Sequence, residues 1–589
     1  MYFLRLTSMA LLGLVATAAA AEKPPAADLI VHHGKIVTVD PDFRIVEAMA
    51  VAGDRIVAVG ESAKMLELTG PKTQQLNLGG KTVLPGLIDS HLHIVSSAMY
   101  EFDHEVPPME TIADVLRFFR QRAAVVRPGE WIDLSQVFIT RLREQRYPTR
   151  AELDEAAPRN PVVFATGPDA VLNSMALKLC GIDKTFRITD GQPGRIERDE
   201  ASGEPTGVLR RCGRLLKYRS AGKTPTREDQ VRRVKRLLAA YNEAGLTSVT
   251  DRDTSDAEIE VIRTLRDGSG LTCRVYLTYA VDVQMPLEKI EARLDAAVRS
   301  PLFRRDNLLW LHGAKIYIDG GMLTGSAYML KPWGASKIYS ISDPQYRGIL
   351  FVEPERLYRI ARAILSRGLQ LAAHCQGDGA VTAMVDACQR VDRDFPVGPL
   401  RPCIAHGSFM TADAMERMRR IGMAVDVQPA WLYLDGATLR TQFGDERLTY
   451  FHPYKTLLEK GVMAGGGSDH MQKIGRRRGI NPYDPFLGMS IMLSRQPRWT
   501  DQPLHPEQRL SREEALRMYT IRNAALTFEE KEKGSLEVGK LADFIVLDRD
   551  FLTCPANEVA DIQVLQTYLG GKAVFDRSAP RHVPARPLD

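Results

Sequence analysis

Two histidines one residue apart, His91 and His93, end the stretch "KTVLPGLIDSHLHI" at residues 81–94. Along an extended strand, residues i and i+2 face the same side, so the two imidazoles aim at one point. Neutral imidazoles that converge are natural ligands for a divalent cation. Further residues of ligand type recur at or near the ends of later apolar runs: Lys315 in "LLWLHGAKIYIDG", His374 in "LQLAAHC", His406 in "RPCIAHG" and Asp469 in "GVMAGGGSD". A lone histidine at a strand end is ordinary, but an ordered set is not. A cation held by such a set lowers the pKa of a bound water toward neutrality and polarises a carbonyl. A carboxylate such as Asp469 can take the water's proton and pass it to the leaving group. That chemistry is hydrolysis through a tetrahedral intermediate.

The runs that must position these residues number eight: 82–88, 246–251, 273–281, 308–320, 369–375, 401–407, 422–430 and 461–469. Segments with apolar residues at helical spacing, such as "PERLYRIARAILSRG" and "DAMERMRRIG", lie between them. Continuous apolar strands alternating with helices indicate a parallel sheet covered by helices. Eight of them predict an α/β fold of the (β/α)8 TIM-like barrel type, whose functional groups gather at the C-terminal ends of the strands. A doubly wound open sheet ranks lower, because no glycine fingerprint follows the early strands. Short β-branched runs broken by turn residues occur near both ends, in "ADLIVHHGKIVTVDPD" and "GSLEVGKLADFIVLDRD". They predict a small β-sandwich domain built from both chain termini, residues 22–82 and 529–589. The barrel then spans 83–528, with an insertion around 99–240 over its active face.

The first residues, "MYFLRLTSMALLGLVATAAAAEK", carry an arginine, an apolar stretch and an A-x-A pattern. They read as a signal peptide, residues 1–21, cleaved near Ala21/Glu22, and predict a periplasmic or secreted protein. The apolar stretch is short for a bilayer, so no stable membrane insertion is expected after cleavage. Across 589 residues the 78 basic and 73 acidic side chains nearly balance, leaving +5. That balance argues against a nucleic-acid partner. Seven cysteines, an odd number without tight pairing, are no disulfide framework, though one bridge stays open.

The order and spacing of several motifs resemble the amidohydrolase superfamily, in its YtcJ-like, family-3 branch. "PGLIDSHLH", "AKIYIDGGMLTGSA", "HCQGDGAVTAMVDA", "IAHGSF", "GGGSDH", "YTIRNAAL" and "GSLEVGKLADFIVLD" carry the likeness over nearly the whole mature chain. The resemblance implies two divalent metal ions, with zinc preferred over manganese or iron. His91, His93 and Asp469 would hold one ion, and His374 and His406 the other. Lys315 would bridge them as a carboxylated lysine, since a free ammonium has no lone pair to give. Asp378 is expected to orient a metal ligand or contact substrate, Asp319 to line the pocket, and His470 to meet substrate. Two segments depart from the branch: "GPDAVLNSMAL" places Pro168 where a histidine is common, and "GEPTGVLRR" places Arg211 where a glutamate is common. The implied activity is hydrolysis of a non-peptide carbon–nitrogen bond, N-formyl or N-acyl, in a small molecule. An ester or lactone hydrolase on the same site is the alternative, with a non-catalytic binding relative ranked below it. Whether the chain forms a homo-oligomer is left open.

Overall fold

The computed structural model describes residues 26–166, 169–218 and 222–579. The expected leader, 1–21, and Pro168 lie outside the described residues. Eight parallel strands form one sheet: β1 (Leu87–Leu92), β2 (Leu246–Thr254), β3 (Arg274–Ala280), β4 (Leu309–Tyr317), β5 (Gln370–Cys375), β6 (Cys403–His406), β7 (Ala424–Val427) and β8 (Met463–Gly466). Each overlaps one of the eight apolar runs of the sequence. Their spatial order follows the chain, β1 through β8, with every neighbouring pair parallel. Strands β1, β6 and β7 are buried at every position, as a sheet inside a ring of helices requires.

The helices between strands begin at sequence-encoded stops. Arg227–Glu243, which leads into β2, starts from a reciprocal Thr226/Asp229 cap, and Asp256–Asp267 from a Ser255/Glu258 cap. In each, the hydroxyl accepts one orphan N–H and the carboxylate accepts another. Helix Ala412–Ile421 ends on Gly422 at φ 72°, a left-handed cap for which glycine has no Cβ penalty.

The seam between β8 and β1 is closed less by strand ladder than by side chains and by the chain beyond β8. Asn523 Nδ2 donates to the carbonyls of Ile88 on β1 (2.6 Å) and Gly466 on β8 (2.7 Å). Beyond β8, Asp469 N–H donates to His91 C=O (2.7 Å) and His93 N–H to His470 C=O (2.9 Å). Gly465 must be glycine, since a Cβ there would stand 2.0 Å from Asn523 Oδ1.

Two further sheets hold both ends of the described chain. One has six strands in the order Lys572–Asp576, Val564–Leu569, Phe544–Leu547, Thr82–Pro85, Lys35–Val37 and Ile45–Val46. The other has four, Arg55–Gly60, Ala48–Ala52, Leu29–His32 and Gln74–Asn77. Leu29, Val31 and Met49 of the smaller sheet share one core with Ile36, Phe544 and Val546 of the larger. Pro85 and Gly86 mark where the chain leaves the six-stranded sheet and enters β1. Gly86 N–H donates to Asp543 C=O (2.9 Å), and a Cβ on it would meet Thr247 Oγ1 at 2.2 Å. Arg274 on β3 forks onto Asp543, with both partners buried, at 2.6 and 2.8 Å. That pair ties the barrel to the terminal sheets by two charge-assisted bonds.

Between β1 and β2 a five-stranded mixed sheet runs in the order Arg195–Arg198, Pro205–Arg210, Asp169–Leu172, Val162–Thr166 and Ile132–Ser135. Arg210, wholly buried, bonds Glu197 (2.6 Å) and lies 3.5 Å from Asp169, so its charge is spent inside this segment. No helix of the described residues is long and apolar enough to cross a membrane.

All seven cysteines are free, and six are buried. Burial pushes the thiols of Cys273, Cys388 and Cys403 up to about 12. In the native protein a water-soluble thiol reagent should therefore reach Cys554 alone, and all seven should react after denaturation. A second fast-reacting thiol would contradict this packing. Asn523→Ala strips two buried carbonyls of their donor and should lower unfolding stability by about 2–4 kcal/mol in urea titration. A loss under about 0.5 kcal/mol would mean that Asn523 does not hold the seam.

Candidate metal centre

Barrel geometry delivers four imidazoles to one patch. His91 lies on β1 and His93 just beyond it, His374 on β5 and His406 at the end of β6. Ring centroids are 5.4 Å apart for His91–His93, 4.7 Å for His91–His406 and 4.6 Å for His374–His406. Asp469 enters from the loop after β8. Its Oδ1 stands 3.3 Å from His93 Nε2 and 3.5 Å from His91 Nε2. One ligand atom from each of His91, His93 and Asp469 falls within 4.8 Å of the others, and the same holds for His91, His406 and Asp426.

The second grouping separates into ligand and support once hydrogen bonds are followed. Asp426, on β7, accepts from His91 Nδ1 (2.9 Å) and from Gln428 Nε2 (3.0 Å), and lies 3.2 Å from the guanidinium of Arg252. A carboxylate engaged on three sides orients His91 and leaves the lone pair on Nε2, facing Asp469. Gln428 Oε1 lies 2.8 Å from His406 Nδ1 and, as an acceptor, fixes that tautomer too. Holding the far nitrogen of an imidazole ligand in this way sets ring orientation and basicity. Asp469 has its own support: Asn481 Nδ2 bonds its Oδ2 (3.2 Å) and its carbonyl (2.7 Å). Asn481 Oδ1 in turn accepts from Arg141 (2.9 Å) and Trp431 (3.1 Å).

Burial favours the neutral form of three of the four rings. It drives His91 and His406 well below the ordinary histidine pKa and His374 to about 3, with the charge of Lys315 adding to each. His93 is shifted upward: burial opposes its charge, but the adjacent Asp469 carboxylate outweighs burial. Asp469 is itself raised by burial, against the pull of His93.

Lys315, on β4, is wholly buried, and burial lowers its pKa. Its Nζ, His374 Nε2 and Asp469 Oδ1 are buried without a hydrogen-bond partner. Three orphaned polar atoms in one site are costly unless something satisfies them. Imidazole nitrogens and a carboxylate oxygen are the donor set of a divalent first-row ion, so the residues present fit such a group.

The other residues singled out in the sequence fall differently. Asp319 does border the cavity, but its carboxylate accepts from the backbone N–H groups of Gln376 (3.0 Å), Gly377 (2.9 Å) and Tyr328 (3.0 Å). It shapes the turn after His374, and burial raises its pKa to about 8. Asp378 opens helix Asp378–Asp394 and accepts from Leu330 N–H (2.8 Å), away from the imidazoles. His470 is buried behind the site: Tyr241 OH lies 2.9 Å from its Nδ1, and its Nε2 bonds the carbonyls of Gln472 (2.6 Å) and Lys473 (2.8 Å). It thus braces the loop after Asp469. Arg211 stacks on Phe351, 3.7 Å from the ring centre.

Above the imidazoles lies a cavity of about 620 Å³. Phe138, Leu323, Phe351, Trp431 and Met471 give it an apolar wall, and Tyr317, Gln376 and Asp253 polar points. From the region 99–240, Tyr100, Ser135, Gln136, Phe138 and Thr166 line that cavity. Sequence reading missed Asp426, Gln428, Asn481 and Asp253. A signal for the first two exists: in "GMAVDVQPA" the polar pair at i and i+2 faces one side of an otherwise apolar strand.

A sequence model of the amidohydrolase family matches residues 74–575. The chain is 29% identical over 563 residues to an N-substituted formamide deformylase of Arthrobacter pascens, covering 94% of this chain and 99% of the relative. It is 25% identical over 572 residues to the putative amidohydrolase YtcJ of Bacillus subtilis, covering 93% and 99%. Among solved structures, an uncharacterized metal-dependent hydrolase from Pyrococcus horikoshii superposes with a TM-score of 0.64 at 23% identity, covering 90% and 99%. That likeness speaks for the fold. The chain belongs to the amidohydrolase family of metal-dependent hydrolases acting on carbon–nitrogen bonds.

Proposed function

We propose that this protein hydrolyses a non-peptide amide bond, N-formyl or N-acyl, in a small molecule, using two divalent ions, zinc in the first instance. The observation that carries this reading is the set of orphaned atoms among four converging imidazoles: Lys315 Nζ, His374 Nε2 and Asp469 Oδ1. The formamide deformylase among the relatives supports the choice of bond. His91, His93 and Asp469 would hold one ion, His374 and His406 the other. Lys315 would join them after its neutral amine adds to carbon dioxide, forming an N–C bond and releasing one proton. Bound there, the ions would supply Lewis acidity and a water acidified to near neutrality.

The chain's own groups account for the rest. Asp469 Oδ1 faces the imidazoles while Asn481 occupies its Oδ2, so Oδ1 is the atom that takes the water's proton. Passing that proton to the amide nitrogen breaks the C–N bond, leaving an acid and an amine. Asp426 and Gln428 hold His91 and His406 in single tautomers, so no reorganisation is needed at the moment of reaction. The apolar wall excludes bulk water and favours a substrate with an apolar body. The sequence-level leader at 1–21 supports action outside the cytoplasm.

Metal analysis of the mature protein tests the centre. About two ions per chain are expected in the parent, and about one or fewer in Lys315→Ala, with kcat/KM on N-formyl amines falling at least ~100-fold. Full occupancy in Lys315→Ala would remove the bridge. Absence of turnover by the metal-loaded parent on N-formyl, N-acyl and cyclic amides would sink the assignment of the bond. Asp426→Ala frees the far nitrogen of His91 and should weaken metal retention about 10–100-fold against a chelator, with the fold retained by circular dichroism. Unchanged retention would deny Asp426 its orienting role.

A further inference from the structure

A second chamber adjoins the imidazole cavity. It measures about 480 Å³ and shares the side chains of Tyr100, Gln136 and Phe138 with the first. Its walls are basic: Arg141, Lys473, Arg477, Arg478 and Arg498 face Glu110 as the acid among the chamber's lining residues.

Most of these charges are already matched. Arg141 pairs with the buried Asp435 (2.8 Å), Arg477 with Asp484 (2.7 Å), and Arg478 with Glu101 (3.3 Å) and Glu105 (3.5 Å). Glu110 lies 3.4 Å from Arg143 at the rim. Two cations remain. Lys473 is only 6% exposed, and its Nζ has no hydrogen bond or ion pair among the described residues. Arg498 spends one amino group on the carbonyl of Arg141 (2.9 Å), but its Nε is buried without a partner.

Lysines are seldom this deep unless matched. Glu101 and Glu105 draw on the Lys473 ammonium without forming an ion pair with it, and burial lowers its pKa, so its Nζ keeps its bonding capacity for the chamber. The backbone is strained at this residue: Lys473 sits at φ 64°, in the left-handed region, where His470 Nε2 holds its carbonyl. Strain of this kind persists where the surroundings over-determine it. Loop 469–473 therefore carries the proposed proton acceptor at one end and, at the other, a cation with no hydrogen bond or ion pair among the described residues.

We infer that the second chamber is an anion subsite, in which Lys473 and Arg498 receive a carboxylate carried by the substrate at the end remote from the scissile bond. The inference rests on the C–N hydrolase reading and narrows it to acidic N-formyl or N-acyl compounds. An ammonium and a guanidinium edge suit a carboxylate, and charge-assisted bonds there give both affinity and register. Phe138 and Tyr100, on the shared wall, would flank the apolar chain between the two ends.

The test uses a matched pair, N-formyl-6-aminohexanoate and N-formylhexylamine, on the metal-loaded full-length mature enzyme. The kcat/KM ratio should favour the acid at least ~10-fold. In Lys473→Met that ratio should collapse about 10–100-fold, and in Lys473→Arg it should stay within ~3-fold of the parent. Calorimetry with glutarate supplies a readout free of turnover: binding by the parent, weakened at least ~10-fold in Lys473→Met and retained in Lys473→Arg. If neither formyl compound is hydrolysed but glutarate binds in this pattern, the bond is wrong and the subsite stands. A substrate ratio and a glutarate affinity indifferent to Lys473→Met would overturn the subsite, whatever the reaction.

Discussion

The seam between the first and last barrel strands is the constraint on which the site depends. At that seam Asp469 N–H meets His91 C=O, and Asp89 accepts from both His91 N–H (2.9 Å) and Ser468 N–H (3.0 Å). Asp89 is wholly enclosed, and burial raises its pKa to about 7. The two chain segments richest in ligand type are therefore held to each other by backbone and by the side chains of Asp89 and Asn523, not by those proposed to do chemistry. Those side chains are left with unspent lone pairs. A cation can hold His91, His93 and Asp469 because their positions are settled without it. The same logic explains the glycines of "GGGSD": a Cβ on Gly467 would stand 2.7 Å from Ser90 Oγ, so only glycine lets β8 approach β1 this closely.

Behind the imidazoles lies a layer of charge that never reaches the cavity. Arg252 and Asp426, both fully buried, neutralise each other at 3.2 Å. An ion pair this deep adds little net stability, because desolvation offsets most of the attraction. Its effect is geometric: it fixes the carboxylate that fixes His91. Arg141, Asn481 and Asp469 repeat the pattern from the other side, with Asp435 matching the arginine. Left-handed backbone collects at the same place, at His406 (φ 82°), Asp253 (φ 77°) and Asp469 (φ 53°). Such residues are held there by their neighbours, and their strain is stored where the chemistry lies.

How much of this could be read from the chain alone follows from the range of the forces involved. The strands were visible because each meets an apolar run, a local property, although the run at 82–88 takes in only Leu87 and Ile88 of β1 and otherwise forms the strand Thr82–Pro85 of the six-stranded sheet. His91, His93, His374, His406 and Asp469 were visible because barrel topology sends strand ends to one face. The supporting groups were not. Asp426 supports a residue 335 positions earlier in the chain, and Asn481 is tied to Arg141, 340 positions away. No spacing rule spans such a distance. His470 misled for the converse reason: its neighbour Asp469 faces the imidazoles, while His470 turns inward to Tyr241 and the backbone.

The same division separates reaction from selection. The groups proposed to carry the chemistry come from strand ends, which the barrel places identically whatever surrounds them. Part of the cavity wall comes from elsewhere, from Ser135–Phe138 and Thr166 before β2 and from the loop after Asp469. Those segments bond to each other, as Gln472 Nε2 to Gln136 C=O (3.1 Å), and to the barrel, as Thr140 Oγ1 to Asp435 (2.6 Å). Their side chains can be exchanged without disturbing the seam. A barrel of this kind can thus keep one centre and face it with different pockets. Substrate selection thus falls to side chains outside the seam, and the subsite proposed at Lys473 and Arg498 lies among them.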